Sequence, residues 1–106
     1  MIMPVIEQAF VAARSRYDAN LATGMQGYYQ FMLPDADNYY LQICDDHCKL
    51  FQGVVEKPCV TLAMESATLQ SILNGELNSM QAFMFGKITV TGNLEMAARL
   101  PSLFPR

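Results

Sequence analysis

The chain is 106 residues long, 52% hydrophobic and only 16% charged, with a formal net charge of −3; a charged share of about 25% is usual. That length suits one domain with one core, so 1–106 is read as a single unit with a large apolar inventory. Lys and Arg are scattered and form no basic face, which excludes nucleic acid as a partner and argues against strong electrostatic docking to anionic lipid. The longest apolar runs are a few residues, far short of the roughly 20 that span a bilayer. No basic segment followed by an apolar one opens the chain, and Leu103-Phe104-Pro105-Arg106 is not a Ser-Lys-Leu type of signal. The cytoplasm is therefore the expected location, and any membrane contact is expected to be hydrophobic and transient.

Residues 4 to 18 read as a helix. Pro4 suits its first turn, and Ile6, Ala9, Phe10, Ala13 and Tyr17 repeat at helical spacing on one face. Gly24 to Gly27 breaks that period. From Tyr28 the period is two, with Tyr29, Phe31 and Leu33 on one side and Tyr28, Gln30 and Met32 on the other. Pro34-Asp35-Ala36-Asp37 is a turn. The next strand turns Tyr39, Leu41 and Ile43 inward, and Asp45-Asp46-His47 leads into a third strand through roughly Val55, interrupted at Gly53. Pro58 opens a fourth strand with Val60, Leu62 and Met64 in phase.

Ser66 is a good N-cap for a helix that buries Leu69, Ile72 and Leu73 and stops at Asn74-Gly75. Asn78 and Gln81 resemble a capping box, opening a short helix whose Met80, Phe83 and Met84 are expected to face inward until Gly86. Lys87 to Thr91 reads as the last strand, with Ile88 and Val90 inward. Asn93 caps a final helix in which Glu95 and Arg99 stand at i, i+4, and Pro101 is expected to kink or end it. Leu103 and Phe104 then belong to a semi-detached arm. Helix, three antiparallel strands, a strand, two helices, a strand and a helix make an α+β domain.

Conventional catalytic signals are weak. Cys44, His47, Cys48 and Cys59 offer the donor types of a Cys₃His zinc site. The intervening residues are ordinary turn chemistry, and the single C-x₃-C has no second such unit, so unpaired thiols are the better reading. Acid–base work needs paired carboxylates or a histidine in a pocket, and the one histidine is expected at an exposed hairpin tip. Tyr28, Tyr29, Tyr39 and Tyr40 suggest a stacking platform, but alternation splits them between two faces. No enzyme, metal or cofactor is called for.

The order G-x-L-N-x-x-x-A-F-x-x-G-K-I-x-V-x-G-N-L-x-x-A-x-x-L runs from Gly75 to Leu100 and resembles the sterol carrier protein 2 (SCP2) domain family of lipid-binding proteins. Gly75, Leu77, Asn78, Ala82, Phe83, Gly86, Lys87, Ile88, Val90, Gly92, Asn93, Leu94, Ala97 and Leu100 carry it, and Pro58 to Ser66 continues it more weakly. The resemblance implies a five-stranded mixed sheet of order 3-2-1-4-5 with helices on one face, and a lipid tunnel between the two. Its sheet wall would be Tyr29, Phe31, Leu41, Val60 and Leu62. Its helical wall would be Leu73, Met80, Phe83, Met84, Leu94, Ala97, Leu100 and Phe104. The implied function is non-enzymatic binding and transfer of acyl, phospholipid or sterol-like ligands. The alternative is an accessory or scaffold protein that presents an isoprenoid quinone precursor or other lipid to partner enzymes.

Overall fold

The computed structural model describes residues 5–17, 26–44 and 47–103, without the side chains of 101 and 102. Helix α1 (Val5–Arg14) is followed by strands β1 (Gln26–Met32), β2 (Tyr39–Cys44), β3 (His47–Gln52) and β4 (Val60–Ala63). Helices α2 (Ser66–Leu73) and α3 (Ser79–Met84), strand β5 (Thr89–Gly92) and helix α4 (Leu94–Arg99) complete the order, with a 3₁₀ turn over Leu100–Leu103. The sheet runs β3-β2-β1-β4-β5, as the resemblance implied. All neighbours are antiparallel except β1 and β4, which are parallel.

Register lines up the inner face. Tyr29 stands between Leu41 and Val60, and Phe31 between Tyr39 and Leu62, which in turn faces Val90. Tyr29, Phe31, Leu41 and Ile43 are completely shielded. Phe10 of α1 closes on this face, its ring 5.2 Å from Phe31 and 5.5 Å from Tyr39. From the far side of the core, the Tyr29 hydroxyl donates to the Met96 carbonyl of α4 over 2.6 Å. That bond fills a gap. The Leu100 N–H donates to Ala97 at the tightened helix end, not to Met96 four residues back. Burial pushes the Tyr29 phenol well above its ordinary pKa, with Arg99 opposing.

The other sheet face is partly covered by the chain that follows β3. Gln30, on the side opposite Tyr29 and Phe31 as read, is buried there: its amide donates to the carbonyls of Tyr39 and Gly53, each over 3.1 Å, and accepts from Val55 N–H over 2.8 Å. Gly53, at φ 120°, donates to Asn38 and turns the chain off the edge, so β3 stops at Gln52 and does not run on to Val55. Tyr28, Tyr40 and Phe51 form an aromatic row on this face, with ring centres 5.8 and 5.1 Å apart.

Three other expectations need correction. The first helix ends at Arg14, because i→i−3 bonds from Arg16 and Tyr17 tighten the chain out of the α form; Pro4, Asp18 and Gly24 lie outside the described residues. Ser66 is the first residue of α2, with Glu65 at the N-cap position. The capping carboxylate comes from the β1–β2 turn, where Asp35 accepts from Ser66 N–H at 3.0 Å and Ser66 Oγ at 2.7 Å. Those two bonds hold the Asp35 carboxyl below its usual pKa. Lastly, Leu103 is no part of a loose arm. It is completely buried, since the chain passes Pro101 as a 3₁₀ turn and returns to the core.

Candidate functional site

Two hard turns build the site. At Asn78 the side chain accepts from Met80 N–H at 2.8 Å and from Gln81 N–H at 3.4 Å, starting α3. At Gly86, φ 75°, α3 ends in a Schellman motif: Gly86 N–H donates to Phe83 and Lys87 N–H to Ala82. This holds α3 to six residues and aims the chain into β5. Gly92 then lets β5 run against β4, where a Cβ would stand 2.6 Å from the Cys59 carbonyl oxygen. Asn93, whose side chain accepts from Met96 N–H at 3.1 Å, opens α4 on the far side.

Between α3, α4 and the β4–β5 edge lies a narrow funnel of about 70 Å³, lined by Leu62, Ser79, Met80, Phe83, Ile88, Val90, Leu94 and Ala97. Leu62, Ile88 and Ala97 are buried in its floor. Met80, Phe83 and Leu94 are 47%, 39% and 60% exposed, which puts them at its mouth. Met84 and Phe85, at 79% and 74%, stand out in water beside them. Ser79 is the polar member of the wall. It is 7% exposed and its hydroxyl has no hydrogen-bond partner. A wider hollow of about 510 Å³, between Met32–Pro34, Ala63–Glu65 and Lys87, lies open on the surface and encloses nothing.

The expected walls divide accordingly. Leu62, Met80, Phe83, Leu94 and Ala97 meet at the funnel. Tyr29, Phe31, Leu41, Val60, Leu73 and Leu100 are packed into the solid core and line no part of it. Phe104 lies outside the described residues. The inward reading of Met84 is corrected, since it lies 79% exposed and lines no part of the funnel. Met80 and Phe83 line it from a partly exposed position, and the residues that α3 buries are Ser79 and Ala82. Small residues let so short a helix lie close to its neighbours, and that pushes its large side chains to the rim. Ile88 and Val90 were read as inward on the last strand, so their place in the funnel was within reach. Ser79 gave no signal beyond following Asn78.

Among the described residues no three His, Cys, Asp or Glu are grouped so as to hold a metal ion. Cys44 is exposed, Cys59 half-buried and Cys48 buried, and burial raises the Cys48 thiol to about 11. Among the described residues, no carboxylate, histidine or cysteine lines the funnel. No described helix is long and apolar enough to cross a membrane.

Comparison with known proteins gives a consistent picture. The family model described as the SCP-2 sterol transfer family matches residues 6–105. The Hydroxysteroid dehydrogenase-like protein 2 of Xenopus laevis is 25% identical over 101 residues, covering 92% of this chain and 24% of that protein. The chain thus spans about a quarter of the length of that relative. The solution structure of palmitated SCP2L2 from Aedes aegypti superposes with a TM-score of 0.72 at 22% identity, covering 98% of this chain and 96% of that one. A double mutant of the sec-alkyl sulfatase PisA1 gives a TM-score of 0.83 at 19% identity, over 99% of this chain but 17% of that one. At such identities the structural likenesses establish the fold.

Proposed function

The chain belongs to the SCP-2 sterol transfer family, and we propose that it works as a non-catalytic carrier which takes up a lipid through the funnel between α3 and α4. The observation that carries this reading is an apolar opening lined by exposed Met80, Phe83 and Leu94, with Met84 and Phe85, which follow Phe83 in the chain, also exposed. An isolated exposed apolar residue needs no explanation, whereas a cluster at the mouth of an apolar cavity marks a binding surface. At about 70 Å³ the funnel holds roughly two waters' share of liquid volume. A lipid therefore enters by parting α3 from α4. Methionines suit such a wall, because unbranched thioethers repack around guests of different shape.

Transfer involves no bond making. Burial of ligand surface supplies the affinity, at about 25 cal/mol per Å². The same rim would touch the donor membrane during exchange, and the chain's net charge of −3 leaves that contact to hydrophobicity. The Aedes relative is described as palmitated, which supports a long acyl chain as the bulk of the guest here.

Two measurements test this. Mass spectrometry of gently purified protein is expected to find bound acyl or sterol-like lipid; a single prenylated aromatic would favour the accessory role instead. Stopped-flow transfer of a labelled fatty acid between vesicles is expected to slow at least 10-fold in Met84→Asp with unchanged melting temperature, since Met84 is already in water. Unchanged transfer would rule out the rim as the contact surface.

A further inference from the structure

Ser79 is the one polar residue among the described residues that line the funnel, and its hydroxyl lies shielded within the wall without a hydrogen-bond partner. Its residue is 93% shielded, its oxygen has no partner, and the seven side chains that share the wall are all apolar. Ser79 is not needed to start α3, because the Asn78 side chain already accepts from Met80 and Gln81 N–H. Nor does a water answer it. A buried water needs two to four polar partners, and the funnel offers one. Leaving a buried hydroxyl unpaired is costly, and alanine would fill the same place without that cost.

We propose that Ser79 is a specificity-determining residue, and that the ligand enters the funnel with a neutral oxygen leading, hydrogen-bonded to Ser79 Oγ in the loaded protein. This rests on the carrier reading above. A ligand needs α3 to move outward, and because Ser79 is the first residue of that helix, this movement is what would open its shielded hydroxyl to the guest. The oxygen is neutral because no wall residue carries a positive charge, and a carboxylate buried there would be unpaired. A hydrocarbon tail leaves Ser79 unsatisfied. A long-chain or ring alcohol, or a carbonyl at the buried end, satisfies it. The chemistry recognised is therefore an apolar molecule ending in a hydroxyl or carbonyl.

The test uses two probes of equal heavy-atom count, 1-dodecanol and n-tridecane, each displacing a fluorescent fatty acid from the full chain. Comparing the ratio of their affinities across variants cancels their different solubilities. Ser79→Ala is expected to reduce the alcohol's advantage by about 5-fold, the equivalent of one ordinary hydrogen bond. Tridecane should bind the variant as well as or better than it binds wild type, and Ser79→Thr should restore the wild-type ratio. A ratio that is the same in wild type and Ser79→Ala overturns the anchor and leaves the carrier standing. Failure of both probes to displace anything from wild type overturns the carrier reading and the anchor together. Should Ser79→Ala not fold, the wild type decides: the Ser79 Cβ resonance must shift with dodecanol and not with tridecane, and equal shifts refute the proposal.

Discussion

Filling the funnel should make the protein more stable and less useful. Ala97 is buried in the funnel floor, and leucine there adds three carbons. In a solid core such an insertion forces neighbours off their rotamers and costs about 1–3 kcal/mol. Here there is a void of about 70 Å³, room for two to three carbon-sized groups judged by water's share of roughly 30 Å³. At about 24 cal/mol per Å³ of cavity, filling it recovers up to about 1.7 kcal/mol. For a domain of about 100 residues each kcal/mol moves the melting temperature by roughly 4–8 °C. Ala97→Leu is therefore expected to raise it by several degrees, read by calorimetry, while affinity for a fluorescent fatty acid falls more than 10-fold. Stability bought at a binding site commonly trades against function. A lower melting temperature with full binding would refute the reasoning, because the void would then be neither empty nor on the ligand's path.

Other expectations follow from single bonds. Tyr29→Phe removes the hydroxyl that serves the Met96 carbonyl, and should cost about 1–3 kcal/mol in urea unfolding with an unchanged m-value. Asp35, with its pKa lowered by the Ser66 bonds, contributes stability that is complete above its unfolded value near 3.9 and lost as pH falls through the folded one. Asp35→Asn should accordingly show a flatter decline in melting temperature from about pH 5 to pH 2. Cys48 has the opposite sign: its thiol, raised to about 11, favours the folded state below its unfolded pKa and loses that contribution as pH climbs toward 11. Cys48→Ala should flatten the alkaline limb, and a thiol reagent at pH 8 should label exposed Cys44 long before Cys48.

Most of the fold was legible because alternation and turn chemistry agreed. Tyr29, Phe31, Tyr39, Leu41, Val60 and Leu62 all fall on the shielded face that their period assigned, and Gly75 and Gly86 stop their helices at positive φ as read. What failed locally depended on distant partners. Ser66 looked like a cap because Asp35, the group that caps α2, is 31 residues away in sequence. The burial of Gln30 was not legible because local period cannot foresee the chain from Gly53 to Val55 folding over it. Leu103 looked detached because Pro101 stops an α-helix but is compatible with the 3₁₀ turn that carries Leu103 home.

The misreading of α3 has a different cause, and it bears on function. Periodicity ranks faces by apolarity, and Met80, Phe83 and Met84 outrank Ser79 and Ala82 on any such scale. A helix that served only the core would follow the ranking. Here the lower-ranked face is buried, while Met80 and Phe83 stand partly exposed at the mouth of the cavity and Met84 lies in water. Local rules fail most informatively where a site has its own demands. A carrier has to expose apolar surface to meet its ligand and its membrane, yet hold enough small-residue contact to keep the helix in place. Ser79 and Ala82 supply that contact, and the caps at Asn78 and Gly86 make it sufficient for a helix of six residues. On the proposed carrier role, so light an attachment is what would let α3 part from α4, the motion a cavity of about 70 Å³ requires before a lipid enters.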